Sequence, residues 1–94
     1  MIAMEAITME EEYDEYDFLI KYICTGKSTE DLCERASEEG LDPEKVSSIL
    51  KFLMGNDYIT EITYPIPPYR TTIKIFDNHT CREIKELLKR KNLI

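Results

Sequence analysis

The stretch Ser28–Ile59, STEDLCERASEEGLDPEKVSSILKFLMGNDYI, decides the fold. It reads as two helices joined by a tight turn, the second running into a strand. Ser28 can cap the first helix, with Asp31 three residues on as its acidic partner. Leu32, Cys33 and Ala36 share one face at helical spacing. Gly40 ends this helix, because a left-handed residue at the cap costs least without a Cβ. Asp42 can cap the next helix, and Pro43 suits its first position, where no backbone donor is needed. Val46, Ile49, Leu50 and Leu53 form an apolar stripe, and Gly55-Asn56 stops the helix.

Working outward, the N-terminal side is acidic. Seven acids precede residue 18 (Glu5, Glu10, Glu11, Glu12, Asp14, Glu15 and Asp17), with no Lys or Arg among them. The chain carries −7 overall, so the remaining 12 acids match all 12 bases and residues 18–94 are neutral. Residues 1–8 read as a lead with little periodicity. Thr8-Met9-Glu10-Glu11 fits a capping box, which starts a helix near Met9 and runs it over 9–24. Tyr13, Tyr16, Ile20, Ile23 and Cys24 recur at helical spacing, with Phe18, Leu19 and Tyr22 widening the stripe. The acids then sit at the end of the helix where the dipole favours them.

On the other side, Tyr58–Tyr64 (YITEITY) and Thr71–Asp77 (TTIKIFD) are rich in β-branched and aromatic residues and read as strands. Pro65, Pro67 and Pro68 between them cannot sit in a sheet interior, so PIPPYR is a connecting tip. Thr80-Cys81-Arg82-Glu83 fits another capping box and opens a helix over 80–91. Cys81, Ile84, Leu87 and Leu88 make its stripe, and Lys85, Lys89, Arg90 and Lys91 gather near its end. The expected class is mainly α with a small β-hairpin (α+β), in the order helix, helix, helix, strand, strand, helix.

Ala36, Gly40, Val46 and Ile49 fall at the spacing of a helix-turn-helix. A small residue lets the second helix cross closely, glycine turns the chain, and two branched residues anchor the second helix. With a hairpin following, the chain resembles the small winged helix-turn-helix regulators of the MarR-like and ArsR-like kind. The resemblance covers about Met9 to Asp77; the passage Lys51–Ile59, with glycine ahead of an aromatic and an aliphatic residue, is similar to the family's step from third helix into wing. It implies one winged helix-turn-helix domain over 1–94, made of the lead, a core at 9–77 and a C-terminal helix at 78–94.

The resemblance also implies a function: a DNA-binding transcription regulator, with the third helix in the major groove. The residues then expected to touch DNA are Glu44, Lys45, Ser47, Ser48 and Lys51 on that helix, and Arg70 and Lys74 on the wing. Serines suit phosphates or base edges, lysine suits phosphate or guanine, and Glu44 could accept from a cytosine amino group. The wing is poor in bases for the family, and a neutral module attracts DNA weakly. The alternative is a winged-helix module that binds protein and not DNA, which the acidic balance and the proline-rich tip favour.

Other classes are excluded. There is no phosphate loop and no nucleophile elbow, and the single histidine has no partner, so no enzyme is expected. No cofactor or metal is expected: Cys24, Cys33, Cys81 and His79 lack a Cys-x₂-Cys pair, and the cysteines suit the core as small hydrophobes. No apolar run approaches the roughly 20 residues of a membrane span, and no signal peptide is recognisable, so a cytoplasmic protein without membrane contact is expected. A homodimer is expected, formed by the first and last helices, whose tyrosines, Phe18, Ile84, Leu87, Leu88 and Leu93-Ile94 exceed what a small core should need.

Overall fold

A computed structural model describes residues 13–94. The elements are α1 (Glu15–Tyr22), α2 (Thr29–Glu38), α3 (Pro43–Gly55), β1 (Ile59–Thr63), β2 (Thr71–Ile75) and α4 (Cys81–Leu88). The molecule is mainly helical with one antiparallel hairpin, in the winged helix-turn-helix order. The start expected near Met9 falls partly outside the described residues, and Tyr13 and Asp14 are not helical. Asp14 caps α1 instead: its side chain accepts from the Asp17 amide at 3.1 Å, and Asp17 accepts from the Asp14 amide at 3.2 Å.

The central pair follows the sequence closely. Ser28 and Asp31 form a reciprocal capping box on α2. At its far end the Gly40 N–H donates to Ser37 O at 3.1 Å and the Leu41 N–H to Ala36 O at 2.8 Å. That closure needs a left-handed residue, and Gly40 supplies it at φ 84°. Asp42 caps α3 by accepting from the Glu44 amide at 2.9 Å. The other end of α3 departs from expectation. Gly55 remains helical, and Asp57, at φ 63°, is the residue that turns the chain, with the Tyr58 N–H donating to Leu53 O at 2.9 Å.

The hairpin pairs Ile59 with Ile75 through Thr63 with Thr71. Tyr64 continues the ladder by donating to Arg70 O at 2.9 Å. Ile59 and Ile73 lie on the face that meets the helices and are buried there. On the edge of β2 away from β1, the Ile73 N–H donates to Lys27 O at 2.9 Å, so the link between α1 and α2 lies alongside the sheet. Glu61 reaches the start of α2 and accepts from the Thr29 amide at 2.9 Å, satisfying a donor that the helix itself cannot pair.

The core draws on every element: Tyr16, Phe18, Leu19 and Ile23; Leu32 and Ala36; Val46, Ile49, Leu50 and Leu53; Ile59 and Ile73; Ile84 and Leu88. The stripes of the first and last helices, expected to meet a second copy, pack on each other within one chain. Phe18, Leu19, Ile84 and Leu88 have no exposed surface left. The Tyr16 hydroxyl accepts from the Leu93 and Ile94 amides at 3.1 and 3.3 Å, so the C-terminal end is folded back against α1.

Cys24 and Cys81 do not pack as free thiols; they are joined in a disulfide that ties the end of α1 to the start of α4, with Cα atoms 6.2 Å apart. Cys33 alone is free, partly buried, and burial raises its thiol pKa. No helix among the described residues is long and apolar enough to cross a membrane.

Candidate nucleic-acid interface

The third helix presents its polar side outward because Val46, Ile49, Leu50 and Leu53 fix the opposite side in the core with no exposed surface. Glu44, Ser48, Lys51 and Gly55 follow at steps of four, three and four, which places them in one exposed line. Ser47 lies on its flank, half-buried. The start of the helix is held by two neighbours. Glu15 of α1 accepts from the Asp42 amide at 2.9 Å, and the Cys33 thiol donates to Pro43 O at 3.6 Å.

Lys45 departs from the expected set. Its Nζ lies 3.8 Å from Glu15 Oε1 and 5.4 Å from the centre of the Tyr16 ring. It is thus engaged with α1, and Glu15 holds both the start of α3 and this lysine. Lys51 has no acid within ion-pair reach among the described residues and is the exposed cation of the helix.

The wing residues occupy a different place. Alternation along the hairpin puts Thr60, Ile62 and Tyr64 with Arg70, Thr72 and Lys74 on the face opposite Ile59 and Ile73. Arg70 and Lys74 therefore share one exposed face of the hairpin. The tip beyond them exposes Tyr64, Ile66 and Tyr69, at 50%, 70% and 60% of their full surface.

The bases near the end of α4 do not form one patch. Lys89 pairs with Glu86 at 3.4 Å. Lys91 leaves the helix at φ 57° and turns to α1, where its Nζ lies 2.9 Å from Asp17 and 3.6 Å from Asp14. The Asp17 hydrogen bond is the main cause that raises the Lys91 pKa. For Asp17, burial pushes the carboxyl up, but the bonds from Lys91 and the Asp14 amide outweigh it and leave the pKa lowered. Arg35, bonded to Glu39 at 2.9 Å, raises its own pKa and lowers that of Glu39 in the same way.

One arrangement was not foreseen from the residues. His79 stacks on Tyr58, ring centres 4.6 Å apart, beside a cleft of about 350 Å³ that Arg82, Leu87 and Arg90 of the α4 region also line. Both acids of that cleft are occupied. Glu83 accepts from the Thr80 amide and lies 3.6 Å from His79, and Glu86 pairs with Lys89. The aromatic spacing gave no signal, because Tyr58 and His79 belong to no common periodic stripe. Among the described residues, no group of three or more His, Cys, Asp or Glu side chains is gathered as a metal site. Compared with family models, with curated proteins and with solved structures, the chain matches none.

Proposed function

We propose that this chain is a DNA-binding transcription regulator of the winged helix-turn-helix kind, reading duplex DNA with α3 and the wing. The observation that carries the reading is the exposed line Glu44–Ser48–Lys51–Gly55 on a helix whose opposite side is wholly buried. Such a helix projects as a rigid rod whose outer residues can reach base edges. Lys51 supplies the positive charge, Ser48 and Ser47 hydrogen bonds, and Arg70 and Lys74 contacts from the hairpin. Lys45, held by Glu15, positions α3 rather than touching DNA.

A single α3 spans one half-site, so we further propose a homodimer that sets two copies about 34 Å apart. The surface for it is not the buried stripe of α1 and α4. We place the protein in the cytoplasm, where its DNA would be. A disulfide inside a cell is a feature of hyperthermophile proteins, and the abundance of Glu and Lys in this sequence is in keeping with such a source.

Titrating labelled random duplex with the protein at increasing salt tests the reading. Binding should weaken steeply with salt, and Lys51→Ala should lower the salt slope by about 1. Unchanged affinity and slope in the Lys51→Ala, Arg70→Ala double variant would reject it. The exposed apolar tip, Tyr64–Ile66–Tyr69, favours a second reading in which the module docks on a protein. That reading predicts no duplex binding even at low salt.

A further inference from the structure

The outer face of the hairpin is built unlike the rest of the molecule. From Ile62 to Phe76 the sequence holds no acid at all, in a chain that carries 19. Arg70 and Lys74, the cations of that stretch, have no acid within ion-pair reach among the described residues, as is also true of Lys51 on α3; what sets this face apart is that its cations stand among rings and no acids. The face is also aromatic. Tyr64 sits opposite Arg70 at one end, and at the other Phe76 donates its N–H to Tyr58 O at 3.2 Å, so Tyr58 and Phe76 form the last rung. Tyr64 is 50% exposed and Phe76 37%.

Two hollows run along this face. One, of about 490 Å³, is lined by Ile62, Tyr64, Arg70, Thr72 and Lys74 among others. The next, of about 260 Å³, shares Ile62 and Lys74 and reaches Phe76, ending at Asp77. Together they form a trough with a ring at either end, Arg70 beside Tyr64 and Lys74 between the two rings. Among the described residues, Gly26 borders the first hollow, and the opposite face of the same strands is the one that packs on the core.

We propose that this outer face of the hairpin binds single-stranded nucleic acid, with bases stacked on Tyr64 and Phe76 and the backbone held by Arg70 and Lys74. The chemistry selects the occupant. Unpaired cations in an acidic molecule ask for a polyanion, and open ring faces ask for a flat partner. A duplex keeps its base faces stacked inside and cannot offer them; a single strand presents both. The six residue steps from Tyr58 to Tyr64 span about 20 Å of strand, room for a run of unpaired nucleotides along the trough. The proposal does not rest on the duplex reading of α3: it shares Arg70 and Lys74 with the hairpin contacts of that reading, but it needs the rings of Tyr64 and Phe76 and no residue of α3.

The test is fluorescence anisotropy of the full chain with a short labelled oligothymidylate at low salt. We expect saturable binding, with Phe76→Ala and Tyr64→Ala each roughly ten-fold weaker and Tyr64→Phe unchanged. Lys51→Ala should leave single-strand affinity untouched while altering duplex binding, which separates failure here from failure of the α3 reading. An abasic strand of the same length carries the same charge without rings and should bind at least ten-fold less tightly. Equal affinity for the abasic strand would overturn the proposal in favour of bare charge. Displacement of the oligonucleotide by polyglutamate at equal concentration would point to an acidic polypeptide and overturn it too, as would absence of binding at low salt.

Discussion

At the residue scale, Gly55 and Asp57 exchange the roles that their types suggest. Glycine was the natural choice for the turn after α3, yet Asp57 takes the left-handed conformation at φ 63° while Gly55 is helical. Aspartate tolerates that region through its short polar side chain, and the sequence GND offers three residues that could each have served. Residue preference could not choose among them. The helix simply continues while Leu53 is drawn into the core. A Cβ at Gly55 would meet nothing within 4 Å. Gly55→Ala should therefore raise stability by about 0.5–1 kcal/mol, read as a higher denaturant midpoint at constant slope. Tyr16 is the opposite case, a buried side chain whose polar atom is used. Tyr16→Phe keeps the ring but leaves the Leu93 and Ile94 amides without their acceptor. It should cost about 1 kcal/mol and speed hydrogen exchange at those two amides while the core stays protected.

At the element scale, the caps of α2, α3 and α4 were legible because each is a local pattern within four consecutive residues. The stripe of α3 was legible for the same reason, and with it the line Glu44–Ser48–Lys51. The start of α1 was not. Thr8–Glu11 matches the common Thr-x-x-Glu box, while the cap found is Asp14 with Asp17, a pair that pattern rules pass over. What holds α1 in place is also non-local: Lys91, more than seventy residues away, bonds to both of its capping acids. This clasp should depend on pH at both extremes. The Asp17 pKa is lowered from 3.8, so its contribution is full above that value and fades as the pH falls below it. The Lys91 pKa is raised from 10.5, so its contribution is full below that value and is lost only as the pH climbs beyond it. Side-chain NMR titration of Lys91 should show a single environment between those limits. The exposure of both partners keeps the gain in stability small. The partner of Lys45 was hidden for a similar reason: a lysine on a helix shoulder gives no sign in the sequence that Glu15 of another helix lies beside it.

For the whole molecule, the order of elements followed from punctuation and periodicity, but how the ends meet did not. Apolar stripes on α1 and α4 say that each needs a partner and not which one; they found each other. The disulfide was hidden for that reason too, since Cys24 and Cys81 each fit a stripe and are separated by 57 positions in sequence. A cross-link closing a loop of that length restricts the unfolded chain and is worth about 4 kcal/mol on the chain-entropy account. Cys24→Ser, or dithiothreitol, should lower the denaturant midpoint accordingly while the far-ultraviolet spectrum of the folded state is retained.

The bond has a topological consequence as well. It makes residues 24–81 a covalent ring that contains α2, α3 and the hairpin, with α1 and α4 attached outside it. Opening a ring at one point leaves a single molecule. Arg70 lies in the exposed tip, well inside that ring, and is an accessible trypsin site there, as is Lys27 in the link between α1 and α2. A limited digest nicked at Arg70 should run as one undiminished band without reductant and as two shorter fragments with it.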